Sequence, residues 1–165
     1  MGVTPAQWIS VKLTAPLLQL AELLSGNRNQ KEQRFGAMTY GGVRGGQEAH
    51  YIGVCAEIAV AHHFDAKLDI NTYQQRGDNG PDLIILGRKV EVKTTTYKND
   101  PLLRVEIEHF QADAIYFCCV AELPVIYVCG CATADEVLSG HKRQFVNGGP
   151  MNYVLNTQQL RSFKS

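Results

Sequence analysis

The chain has 165 residues, with sixteen basic and sixteen acidic side chains and an apolar fraction of 45%. That length suits one domain over 1–165, large enough to bury a core without disulfide or metal staples. The balanced charge excludes a whole-molecule attraction to polyanions and leaves only a local basic groove. Residues 1–27 show neither the basic n-region and apolar core of a signal peptide nor the roughly 20-residue apolar run of a membrane span, so the expectation is a soluble, cytoplasmic protein with no membrane partner.

In chain order, Trp8 to Thr14 alternates, with Ile9, Val11 and Leu13 on one side and Ser10, Lys12 and Thr14 on the other, which predicts a half-buried strand. A helix is expected from near Pro16, a residue suited to a first helical turn, to just before Gly26. Residues 26–46, GNRNQKEQRFGAMTYGGVRGG, are polar and glycine-rich without a sustained period and read as a long loop. Its Lys31, Arg34 and Arg44, with Phe35 and Tyr40 interleaved, combine charge with stacking surface in the way nucleic-acid contacts do. From Gln47 to Phe64 the pattern becomes helical, with Ile52, Cys55, Ala56, Ala59 and His63 on one stripe.

Strands are expected at 82–87, 89–96, 102–107, 114–121 and 125–131. Thr133 and Glu136 then form a capping box for a short helix ending near Gly140, and Asn156 and Gln159 repeat it after a short strand at Tyr153 to Leu155. This order points to an α/β (α+β) fold, a mixed central sheet flanked by helices. The five cysteines, Cys55, Cys118, Cys119, Cys129 and Cys131, are odd in number and match neither a disulfide framework nor a paired zinc motif. They are expected as free buried thiols, with zinc held by cysteines and His62 or His63 as an alternative.

The chemistry concentrates in GDNGPDLIILGRKVEVKTTTYKND, residues 77–100, where charges interrupt a run of sheet-forming residues. Such charges are costly among apolar neighbours unless compensated. A tight turn at Gly87 and Arg88 would pair Leu86 with Lys89 and Asp82 with Lys93. Leu83, Ile85, Val90 and Val92 then share one face, and Asp82, Glu91 and Lys93 the other. Two carboxylates with nearby carbonyls are the oxygen-rich surroundings that magnesium prefers. A plain ion pair of Lys93 with Asp82 or Glu91 is the structural alternative. Asp78 is read as a turn residue.

PDLIILGRKVEVK resembles the core motif of the PD-(D/E)XK nuclease superfamily, with Asp82 at the motif aspartate, Glu91 as the second acid and Lys93 two residues on. Many members carry a glutamate on an upstream helix, and GVCAEIAVAHHF offers Glu57, with Gly53 and Ala61 as small neighbours. The resemblance covers about residues 47–97. It implies a restriction-endonuclease-like core and phosphodiester hydrolysis assisted by one or two divalent cations, magnesium with manganese able to substitute. Glu57, Asp82, Glu91 and the Val92 carbonyl would hold the metal, and Lys93 would orient or help deprotonate the attacking water. Any such enzyme needs a Lewis acid, an activated water and a positive group at the developing charge.

Arg34, Arg44, His50, Arg76, Thr95 and Lys98 are the candidate substrate contacts. Arg104 and the basic patch HKRQFVNGG read by default as solvated surface. The expected function is a metal-dependent deoxyribonuclease, with DNA as partner and a homodimer suggested by family habit. The alternatives are a catalytically silent module of the same fold that binds nucleic acid or protein, and an α/β domain whose acids are structural.

Overall fold

The structure, a computed structural model, describes residues 2–34, 45–68 and 83–163, with the backbone alone for 27–34 and 45–47. The elements are β1 (Ile9–Lys12), α1 (Ala15–Arg34), α2 (Gly45–His63), β2 (Leu83–Ile85), β3 (Arg88–Thr95), β4 (Leu102–Glu106), β5 (Ala114–Glu122), β6 (Val125–Thr133), α3 (Ala134–Leu138), β7 (His141–Gln144) and β8 (Met151–Asn156). The strands form a five-stranded sheet in the order β1-β6-β5-β3-β2 and a three-stranded sheet in the order β4-β8-β7. The β3–β5 pair is parallel and every other pair is antiparallel, so the protein is mixed α/β.

Alternation along β3 and β5 divides the core in two. Val90, Val92, Phe117 and Cys119 face α1 and α2, in a cluster that also holds Val11, Leu13, Leu24, Ile58 and Val60. Tyr116, Cys118 and Val120 point the other way and are covered by Leu103, Val105 and Leu155 of the second sheet, together with Val137 of α3 and Leu160. The expectation of helices flanking the sheet therefore holds for one face. The opposite face is covered by a second sheet and one short helix, because β4 leaves the main sheet between the parallel strands β3 and β5 and pairs with β8 instead.

The helix stripe expected on α2 is also incomplete. Every residue from Val54 to Ala61 is buried and His63 is exposed, since α1 packs on α2 while α2 packs on β3 and β5. A helix apolar on all sides fits a position between layers. Each fully buried Val or Ile there contributes about 1.5–3 kcal/mol. The first helix does not stop before Gly26 but continues to Arg34. One internal glycine costs a helix only about 1 kcal/mol relative to alanine, which the continued backbone hydrogen bonds outweigh. Residues 26–34, expected as loop, are thus helical, and the rest of that expected loop up to Arg44 lies outside the described residues.

Both capping boxes form: Thr133 Oγ1 accepts from the Glu136 N–H while Glu136 accepts from the Thr133 N–H, and Gln159 caps Asn156. The cysteines are free thiols, four buried and Cys131 half-buried. Burial pushes the thiols of Cys55 and Cys131 up to about 11 and raises Cys119 further. Among the described residues, no helix is long and apolar enough to cross a membrane.

Candidate functional site

The hairpin of β2 and β3 turns one residue earlier than expected. Leu83 pairs with Val90, Ile84 with Lys89 and Ile85 with Arg88, so Leu86 and Gly87 are the two turn residues, with φ of 50° and 76°. Two successive positive φ values define the primed turn whose second position most needs glycine. Gly87 occupies that second position rather than the first, which a turn at Gly87 and Arg88 would give it. The register moves by two, an even number, so the faces survive: Leu83, Ile85, Val90 and Val92 are buried together toward the helices.

The opposite face of β3 carries Lys89, Glu91, Lys93 and Thr95, directly beside Ala114, Tyr116, Cys118 and Val120 of β5. Lys89 Nζ meets Asp113 Oδ2 at 2.7 Å, and that bond holds the Asp113 carboxyl below the usual range. Glu91 is 7% exposed. Its Oε1 accepts from Gln111 Nε2 at 3.1 Å, and its Oε2 lies 3.7 Å from Lys93 Nζ. A carboxylate at this depth needs such compensation.

Gln111 is itself positioned. The Tyr116 hydroxyl accepts from the Gln111 N–H at 2.7 Å and donates to the Gln111 carbonyl at 3.3 Å. The Tyr116 ring stacks on Phe110 with centroids 6.0 Å apart and planes at 12°. Tyr116 sits opposite Glu91 across the parallel pair, so one tyrosine fixes the turn that brings the amide to the carboxylate. Gln111 escaped the sequence reading because nothing in its neighbourhood marks it. It lies 20 residues from its partner and depends on the Tyr116 pairing.

The structure thus brings together Glu91, Lys93 and Gln111, with Thr95 further along the same face. Thr95 Oγ1 accepts from the Tyr97 N–H at 3.1 Å. Val92 turns its side chain into the helix-side core. Glu57 is 3% exposed on α2, in the layer covering the Val90 and Val92 face, and is not without a partner there. His50 is half-buried two turns earlier on the same helix. Lys98 is turned to other partners: its Nζ lies 3.2 Å from Glu122 Oε2 and 4.8 Å from the Tyr127 ring centroid. Glu122 is four residues beyond Cys118, the neighbour of Lys93, or roughly 13 Å along β5. Asp82, Arg44 and Arg76 lie outside the described residues, as does the Arg34 side chain.

As a metal site, the described residues offer the Glu91 carboxylate and the Val92 carbonyl, hard oxygen donors of the kind magnesium takes. Among the described residues no three His, Cys, Asp or Glu side chains gather closely enough to hold an ion. No family model, no curated protein and no solved structure matches the chain.

Proposed function

We propose that the protein is a metal-dependent deoxyribonuclease with a restriction-endonuclease-like core, hydrolysing DNA phosphodiester bonds on the Glu91 face of β3. The observation that carries this reading is a nearly buried carboxylate held by an amide on one oxygen, with an ammonium 3.7 Å from the other. Glu91, with Asp82 and the Val92 carbonyl, would hold magnesium or manganese, whereas Glu57, expected as a further ligand, lies in the helix layer on the other face of β3. A divalent cation bound there supplies Lewis acidity to the phosphoryl group and lowers the pKa of a bound water. Lys93, 3.7 Å from Glu91, orients the attacking water and offsets charge growing on the phosphate. Gln111 restrains Glu91 to one rotamer. A duplex cutter needs two such centres, which favours a homodimer.

The test is cleavage of plasmid and oligonucleotide DNA with magnesium or manganese, across single-stranded, duplex, flapped and four-way substrates. Loss of cleavage in Lys93→Ala and Asp82→Ala is the expected result, and undiminished cleavage by both removes the assignment. The direct approach of Lys93 to Glu91 also suits a second reading, a catalytically silent module of this fold in which the pair is structural. Calorimetry separates the two, since a silent module binds no divalent metal through Asp82 and Glu91.

A further inference from the structure

The outer side of the second sheet carries a second charged cluster. Leu103 and Val105 of β4 point inward and are 1% exposed, so Arg104, between them, points outward. Across the sheet Arg104 aligns with Val154 and then His141, and Glu106 aligns with Asn152 and then Arg143. By alternation His141 and Arg143 share that outer side, and Phe145, just past the strand, meets it through Arg104 and Arg143. All four residues of β7 are exposed, and β7 is an edge strand of the sheet.

The ring of Phe145 gathers both guanidiniums, with Arg104 Cζ 3.7 Å and Arg143 Cζ 4.6 Å from its centroid. A guanidinium engages an aromatic ring through its flat face, while its five N–H donors lie in its own plane. Stacking on Phe145 therefore fixes the orientation of both groups and leaves their hydrogen-bonding edges for an acceptor. Among the described residues neither arginine has a carboxylate within ion-pair distance. The acid on the same side, Glu106, is engaged at 3.0 Å by His109 Nδ1. Burial, and then the charge of Arg143, lowers the pKa of Arg104.

We propose that this outer face, centred on Arg104, Arg143 and Phe145, is a contact for the phosphodiester backbone of DNA, separate from the Glu91 site. Forked, pre-oriented guanidiniums match phosphate oxygens in a way that point charges do not. The choice of DNA rests on the nuclease reading. The exposed edge strand lets an extended polyanion run along it past His141 and Arg143.

The experiment measures binding without cleavage: fluorescence anisotropy of labelled duplex and single-stranded DNA against the full chain in EDTA, over a series of salt concentrations. Replacing both arginines by serine is expected to weaken binding about 10-fold or more and to flatten the dependence of log K on log salt by about two. Replacing both by lysine should restore the salt slope but not the affinity. Arg143→Ser alone, on an exposed edge, gives the same direction if the double variant fails to fold.

Affinity and slope unchanged in the serine variants, or no DNA binding by the parent chain, overturns the proposal. So does equal competition by polyaspartate at matched charge, which would indicate a general acidic partner. Patch-dependent binding without cleavage in magnesium supports the patch while sinking the nuclease reading. Cleavage without patch dependence does the reverse.

Discussion

The Glu91 cluster and the Arg104 cluster lie on opposite sides of the β4–β8–β7 sheet, and they handle charge in opposite ways. At Glu91 the carboxylate is nearly buried and its oxygens meet an amide and an ammonium of the same chain. At Arg104 two like charges share one aromatic ring on the surface, with no carboxylate beside them among the described residues. A compensated buried cluster holds its geometry without a ligand, which suits chemistry that needs pre-set positions. An exposed cluster of one sign is relieved by an outside anion, which suits binding. The difference separates where the protein is expected to react from where it is expected to hold.

The largest effect that would break this division is catalytic. Lys93→Ala or Asp82→Ala should reduce metal-dependent DNA cleavage by about 100- to 1,000-fold or more, read by gel with DNA affinity measured in parallel. Equal loss of affinity and cleavage would mean that the two regions share one task. Next in size is the roughly 10-fold loss of affinity for the Arg104 and Arg143 double variant.

A third comparison concerns stability. Glu91→Ala strands the Gln111 amide and Lys93 and should cost about 1–3 kcal/mol in urea unfolding, with Glu91→Gln costing less. Arg104→Ser should cost well under that. A reversal would make the Arg104 cluster the structural one.

A smaller effect calibrates compensated charge near the surface. Burial works against ionisation of Glu136, but hydrogen bonds from the Thr133 N–H and from Arg161 hold its carboxyl below the usual range. A depressed folded-state pKa contributes stability that is present above the unfolded value of about 4.3 and is lost as pH falls through the folded value. Glu136→Gln, which keeps the capping acceptor and loses the charge facing Arg161, should therefore cost about 0.2–1 kcal/mol at pH 7, and the difference should shrink in melts taken progressively below pH 4.

An effect no larger lies in the turn that presents Glu91. Leu86 has φ 50° and is 94% exposed, so its side chain contributes little burial while its backbone is strained. Leu86→Asn should raise stability by about 0.5–1 kcal/mol without altering cleavage or DNA affinity.

Local signals account for what could be read in advance. The alternation of β1, the apolar run of α2, the β5 and β6 strands and the two capping boxes all follow from side-chain period and cap chemistry within a few residues. The grouping of Glu91 with Lys93 was legible for the same reason, because residues two apart on a strand share a face whatever the turn does. β7 was not legible. His141 to Gln144 are exposed on both sides and carry no apolar alternation, so only pairing with β8 makes them a strand. The pairing of Arg104 with Phe145, and the reach of Gln111 to Glu91, likewise depend on segments distant in the chain.

Sequence alone determined the element types along most of the described chain, the sheet-like hairpin around Gly87 and the co-facial placement of Glu91 and Lys93. These are consequences of backbone period, which acts over neighbouring residues. Tertiary structure decided that a second sheet rather than a helix layer covers the Glu91 face, that Tyr116 sets Gln111 against the carboxylate, and that two arginines thirty-nine positions apart converge on one phenylalanine. Those outcomes come from which strands pair, and pairing is chosen by how apolar faces across the whole molecule can be buried together.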